Sequence, residues 1–302
     1  MRYLKKIKYL IMMLIFISFS YSIEFDISEK QVKDGIVYRR GEKNSFTGVF
    51  IGENIREEYK KGVRNGKYIG VMKIEKDEYI CEGEFVEGIK NGDWFIKFPN
   101  GKIHAILKYN YDLPAGQWTY FYPNNRVKGY ENFENGIISG EVTVYRDNGD
   151  LLKKLEYKNG LVDGEMIIYS KNKVLDSIVN FSMGKLDGKI AIYSNNNILQ
   201  LDGKYKNDKR ESLWRLYYND GNLKMVVAYN HGLKNGRIIV YNKEGQIVQR
   251  TIYKENNEVD EKGNIIEKAD NKSDTKDNIL IRFKNISYDL EYIKYNEVLS
   301  NL

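Results

Sequence analysis

Along most of this chain apolar and polar residues alternate in short runs, and the runs are broken by glycine, asparagine and aspartate. Gly140-Glu141-Val142-Thr143-Val144-Tyr145 and Gly164-Glu165-Met166-Ile167-Ile168-Tyr169 are typical. Period-two alternation sends successive side chains to opposite faces and predicts half-buried β-strands. Breaks such as Asp147-Asn148-Gly149 and Asn219-Asp220-Gly221 supply residues that tolerate positive φ and predict turns. The pattern predicts an all-β protein.

The runs recur in register. With an aromatic residue as position zero, glycines follow three and seven residues later: Phe85 with Gly88 and Gly92, Phe133 with Gly136 and Gly140, Tyr157 with Gly160 and Gly164, Phe181 with Gly184 and Gly188, and Tyr229 with Gly232 and Gly236. Tyr109 and Tyr205 keep the phase with Asp112 and Gly116, and with Asp208 and Ser212. The anchors from Phe85 to Tyr229 fall every ~24 residues, within the range of repeat architectures. Tyr253 is in phase without its glycines, Tyr59-Gly62-Gly66 is an earlier copy, and Ser45-Phe46-Thr47-Gly48 resembles the second half of a partial one. Each unit predicts two strands and two turns, with the glycines making the turns, and the series predicts an elongated antiparallel β-meander of stacked hairpins.

The faces separate by counting from the anchor. Positions +9 and +11 are apolar in every copy, from Trp94/Ile96 and Trp118/Tyr120 to Trp214/Leu216 and Ile238/Val240. Position +8 is mostly polar, and an aromatic returns at +12 as Phe121, Tyr145, Tyr169, Tyr193, Tyr217 and Tyr241. These are expected to form a cross-strand ladder. Trp94, Trp118 and Trp214 share the +9 phase. They are the candidate anchors for a bound partner, against the plainer expectation that they belong to the core.

The run Phe85-Val86-Glu87-Gly88-Ile89-Lys90-Asn91-Gly92-Asp93-Trp94, with Tyr157-Lys158-Asn159-Gly160-Leu161-Val162-Asp163-Gly164, resembles the bacterial MORN-repeat-variant family over roughly residues 45–253. Many of its members are labelled YwqK-type toxin–antitoxin antitoxins. The resemblance implies an elongated antiparallel sheet and a role in binding or scaffolding.

The N-terminus changes the picture of location and charge. Met1, Arg2, Lys5, Lys6 and Lys8 precede an apolar run from Tyr9 to Phe19, then Ser20-Tyr21-Ser22. This reads as a signal peptide over residues 1–22, with an apolar run shorter than the roughly 20 residues that span a bilayer. The expected location is the periplasm, cell envelope or exterior. Export argues against an antitoxin that meets its toxin in the cytoplasm. Four of the 48 basic residues lie in that segment, so the remainder nearly balances the 42 acidic ones. That removes the electrostatic case for nucleic acid. The single Cys81 forms no internal disulfide and is expected to be a buried thiol. His104 and His231 fall in different phases, so neither a metal nor another cofactor is expected, and no catalytic motif is present.

The repeat domain is expected over residues 23–253. A charged linker follows over 254–278, then a C-terminal cap or tail over 279–302. In that tail Ile279–Phe283 reads as a short strand, and Ile286, Leu290, Ile293, Leu299 and Leu302 fall at helical spacing. The expected role is a non-enzymatic scaffold, with an antitoxin or immunity protein as the alternative. Its expected partner is a protein or glycan. Peripheral membrane contact and self-association through the apolar face are further outcomes.

Overall fold

The computed structural model describes residues 23–74, 76–267, 278–287 and 299. The signal-peptide segment lies outside the described residues, as do Leu290, Ile293 and Leu302. The described chain is all-β: one 24-stranded sheet and a separate N-terminal hairpin, Lys30–Lys33 with Ile36–Arg39. From Gly48 to Glu267 the chain meanders with successive strands antiparallel, and the two-residue strands Leu113–Pro114, Ile137–Ile138 and Leu161–Val162 share their partner with the strand that follows. Glu24–Asp26 adds in parallel against Gly48–Gly52.

Each hairpin follows from its residues. The two residues after the strand that carries the anchor both take positive φ, as in Asn135 (51°) with Gly136 (81°) and Asn159 (51°) with Gly160 (81°). This is a type I′ turn, whose twist matches that of the flanking strands. Consecutive turns are stitched together. The +3 amide donates to the +5 carbonyl of the previous unit, as in Gly136 N–H to Pro114 O (3.0 Å) and Gly184 N–H to Val162 O (2.8 Å). Where +3 is Asp or Asn, the side chain adds a second bond, and Asp112 Oδ1 accepts from Lys90 N–H at 2.8 Å. The substitutions at Asp112 and Asp208 therefore keep the turn and strengthen the stitch. Asp112 sits at φ 63°, so Asp112→Ala is expected to cost about 2 kcal/mol, combining left-handed strain and a lost hydrogen bond. Asp112→Gly should cost about half that, and urea denaturation of the two variants checks the order.

At the opposite ends, four-residue loops close with one left-handed residue, such as Gly101 (82°), Asn125 (66°) and Gly149 (90°). Each is followed by a bulge where register shifts. There too the units are tied, by Tyr122 Oη to Tyr145 O and Tyr218 Oη to Tyr241 O, both 2.8 Å. The 26-residue interval from Tyr59 to Phe85 is taken up by the longer strands Val63–Ile74 and Asp77–Val86.

The second glycine of each unit departs from expectation. It lies inside a strand, at a bulge, facing the next anchor: Gly92 opposite Tyr109, Gly140 opposite Tyr157, Gly164 opposite Phe181, Gly188 opposite Tyr205. Its φ of 75–119° at these positions is open to glycine and strained for a residue with a side chain. Gly48 opposite Tyr59 plays the same part for the N-terminal partial copy.

The inner face carries the core. Anchors and +9 residues alternate along it in ring contact, edge-to-face at Phe85–Trp94 (5.1 Å) and Trp94–Tyr109 (6.2 Å) and tilted at Tyr109–Trp118 (5.3 Å) and Trp118–Phe133 (4.7 Å). The aromatic ladder is thus internal and built from positions 0 and +9. Of the +12 residues, Tyr145 contacts Tyr130, centroids 6.1 Å apart. Trp94 and Trp214 lie flat over Gly83 and Gly203, where a Cβ would come within 2.2 and 2.4 Å of the indole. Gly83→Ala is expected to destabilise by about 1–3 kcal/mol through overpacking, seen as a lowered denaturation midpoint.

The C-terminal region differs from the sequence reading. Asn257–Val259 and Ile265–Glu267 are strands within the stretch expected to be linker. Asn278–Ser287 is an α-helix where Ile279–Phe283 read as a strand. An isolated strand would leave its backbone unpaired, whereas a helix satisfies its own and offers one side to a sheet face. Ile279 and Phe283, one turn apart, both pack against the inner-face core.

Candidate binding face

The inner face is where this fold places its chemistry. Trp94, Trp118 and Trp214 are 0, 0 and 2% exposed, so all three candidate anchors lie in the core. The Trp118 and Trp214 indole N–H groups donate to Lys108 O (2.9 Å) and Lys204 O (3.1 Å). Trp94 Nε1 has no partner among the described residues. The anchors Phe85, Phe133, Tyr157 and Phe181 are buried beside them. Cys81 is buried on the same face, and burial pushes its thiol up to about 12, which keeps it protonated.

Polar residues interrupt this face where alternation alone marked no site. Lys90, Glu131, Lys153 and Ser177 are buried. The Tyr120 hydroxyl donates to Glu131 (2.6 Å), and Lys90 Nζ lies 6.0 Å from the Phe85 ring centroid and 5.8 Å from that of Tyr109. The +5 position is basic at Arg64 and Lys90 and again at Arg210 and Lys234, and aliphatic at Ile138, Val162 and Leu186 between them. Arg210 lies over Trp214 (4.8 Å) and Tyr229 (5.4 Å). A search for metal clusters and catalytic motifs passes over this row, because its signal is a phase within the repeat.

Helix Asn278–Ser287 and Leu299 lie on this face. Arg282 pairs with Asp176 (2.7 Å) and Lys284 with Asp208 (2.6 Å), while Phe283 between them is fully buried. Leu299 is also buried, and its carbonyl accepts from Lys90 Nζ at 3.0 Å. The expected cap therefore covers the sheet's apolar face, and the last described strand at the edge is Ile265–Glu267.

A second cluster sits at the N-terminal end. Glu57, 6% exposed, meets Lys30 Nζ, the Tyr59 hydroxyl (2.9 Å) and Arg64 (3.5 Å). A cavity of about 270 Å³ beside it is lined by Lys30, Val32, Val37, Tyr59, Val63 and Arg64. His104 packs between Tyr79 (4.8 Å) and Phe98 (4.4 Å), and His231 occupies a turn at φ 51°. Among the described residues no group of three or more His, Cys, Asp or Glu is placed to hold a metal, and no helix is long and apolar enough to cross a membrane.

A single meandering sheet, one unit stacked on the next, defines a β-hairpin repeat protein. Residues 138–159 match the family described as MORN repeat variant, which supports the resemblance to MORN-repeat proteins. No curated protein matches the chain. Among solved structures, choline binding protein F from Streptococcus pneumoniae is similar at 12% identity, over 79% of this chain and 98% of that one. Its TM-score is 0.19, and the likeness carries no argument here.

Proposed function

We propose that this chain is an exported, non-enzymatic binding scaffold of the cell envelope whose working surface is the inner face of the sheet. The observation that supports this reading is the fate of the chemically notable residues. Glycines, aromatics, histidines and the lone cysteine are taken up by turns, ring contacts and core packing. What is left is the charged residues that interrupt and border the inner face, among them Lys90, Asp176 and Asp208, on which a helical segment is already seated. Repeat sheets of this kind bind through extended area rather than a pocket. Export rests on the basic and apolar pattern of residues 1–22.

Two measurements test the reading. Expressed with its own N-terminus in a bacterial host, the chain should accumulate outside the cytoplasm with its N-terminus trimmed near Ser22; untrimmed cytosolic protein would remove the envelope from the proposal. Crosslinking of the exported protein in envelope extract should then capture one protein in stoichiometric amount. Capture of glycan alone would redirect the reading to a lectin. A captured protein that arrests growth when expressed alone, and is neutralised by this chain, would favour the antitoxin alternative.

A further inference from the structure

We propose that the inner face is a seat for an amphipathic helix presenting an aromatic side chain between two basic ones, and that the chain's own Asn278–Ser287 helix holds that seat until a partner segment of the same chemistry displaces it. This rests on the scaffold reading and names the partner's chemistry.

Three observations carry it. The first is the seat itself. Phe283 is fully buried among the core residues, with Arg282 on Asp176 and Lys284 on Asp208. The two acids come from different repeat units, so the seat reads both charge and the distance between charges. Asp208 is additionally fixed in its turn, where its Oδ1 accepts from Leu186 N–H at 2.8 Å. The second is a further anchor at Leu299, whose side chain is buried and whose carbonyl is held by Lys90. That lysine is itself 7% exposed and lies beside two aromatic rings.

The third is how the helix is held. The helix lies outside the strand ladder and meets the sheet through side chains, Ile279 and Phe283 on the core and Arg282 and Lys284 on acids. The Arg282–Asp176 and Lys284–Asp208 pairs involve partly solvent-accessible side chains, of a kind worth at most about 1 kcal/mol each. The strands beneath are locked by ladders and stitched turns, so the helix can leave without the sheet opening. A sheet whose aromatic face lost this cover would expose a large apolar patch. Whatever displaces the helix must therefore bring apolar cover of its own and satisfy Asp176 and Asp208.

The test uses the full chain and a fluorescent peptide of residues 278–302. The probe is titrated into the unaltered protein and into a released variant carrying the uncharged changes Arg282→Ser, Phe283→Ser and Lys284→Ser. A milder variant, Phe283→Ala alone, serves if the triple change impairs folding. The released protein should bind one peptide per chain at least ten-fold more tightly than the unaltered protein, because an occupied seat lowers apparent affinity by the fraction of chains with the seat free. Adding Asp176→Lys and Asp208→Lys to the released variant should weaken binding at least ten-fold, and a peptide with Asp at 282 and 284 should recover it.

Equal affinity for the unaltered and released proteins, or indifference to the charge reversals, would overturn the proposal. So would a concentration-dependent dimer of the unaltered chain that is lost in the released variant, since the occupant would then be the helix of a second copy. The scaffold reading is judged separately, by envelope crosslinking of the unaltered chain.

Discussion

Trp118→Ala should lower the unfolding free energy by about 3–5 kcal/mol, the range for deleting a large buried aromatic side chain. Trp118 is fully buried, touches Tyr109 and Phe133, and donates its indole N–H to Lys108 O at 2.9 Å. Alanine leaves a void between two anchors and removes one of the two hydrogen bonds that Lys108 O accepts, the other coming from Ala115 N–H at 2.9 Å. Repeat sheets distribute stability over units and their interfaces, so the loss should concentrate near residues 105–145. Hydrogen exchange should show those strands opening before the strands around Trp214. Comparison with Trp94 isolates the polar contribution. Trp118→Phe removes both volume and a hydrogen bond, whereas Trp94→Phe removes volume and relieves a buried N–H with no described partner. Trp118→Phe should therefore cost more, by about 1 kcal/mol. Equal costs would show that the indole bond contributes nothing.

Glu57→Ala should be of comparable size, about 3–5 kcal/mol, because removing one partner of a buried ion pair strands the other. Lys30 ties the N-terminal hairpin to the sheet through Glu57, and Arg64 and the Tyr59 hydroxyl meet the same carboxylate. Burial by itself raises the Glu57 pKa. The hydrogen bond and charge of Lys30, with smaller help from Tyr59 and Arg64, outweigh it and hold the carboxyl below the usual range. A carboxylate with a depressed folded-state pKa contributes stability that is full above its unfolded value, roughly 4.3, and is lost as pH falls through the folded value. The unaltered chain should lose stability on acidification below about pH 5 more steeply than Glu57→Gln, as read from melting temperatures across pH 3–7. Parallel acid profiles would remove Glu57 from the account. Pairing Glu57→Leu with Lys30→Met should recover part of the loss, because the lysine no longer stands without its partner while Arg64 still lacks its carboxylate.

The antitoxin reading and the scaffold reading make different demands on the same face. A toxin partner would form a lasting one-to-one complex, whereas a scaffold seat should exchange occupants. Release of the cis helix on capture of a partner, followed by exchange, is the outcome expected of a scaffold seat.

Much of this fold was legible because its causes are local. A type I′ turn needs two residues of positive φ, and Asn159-Gly160 or Asn135-Gly136 declares that in two letters. A strand half-buried on one face must alternate, so the repeat length, the strand pairing and the identity of the inner face all follow from a one-dimensional pattern. Even the exceptions obey local rules: aspartate replaces glycine at Asp112 and Asp208 because it tolerates the same backbone and caps a neighbouring amide. The second glycine looked like another turn, because a bulge opposite an aromatic ring and a turn demand the same freedom of φ. Only the pairing of Gly140 with Tyr157 distinguishes them.

What the sequence by itself determined is therefore the class, the repeat and the burial of Trp94, Trp118 and Trp214 on one face. Tertiary structure alone decided what covers that face. Asp176 and Asp208 read as ordinary polar residues of a strand and a turn, and Arg282-Phe283-Lys284 as part of a tail. They meet across 106 and 76 residues, and Leu299 reaches Lys90 across 209. Contacts at such separation are set by where a helix finds apolar surface to bury and charges to match. No period, turn or propensity along the chain encodes that meeting, so the seat became visible only when sheet and helix were seen together.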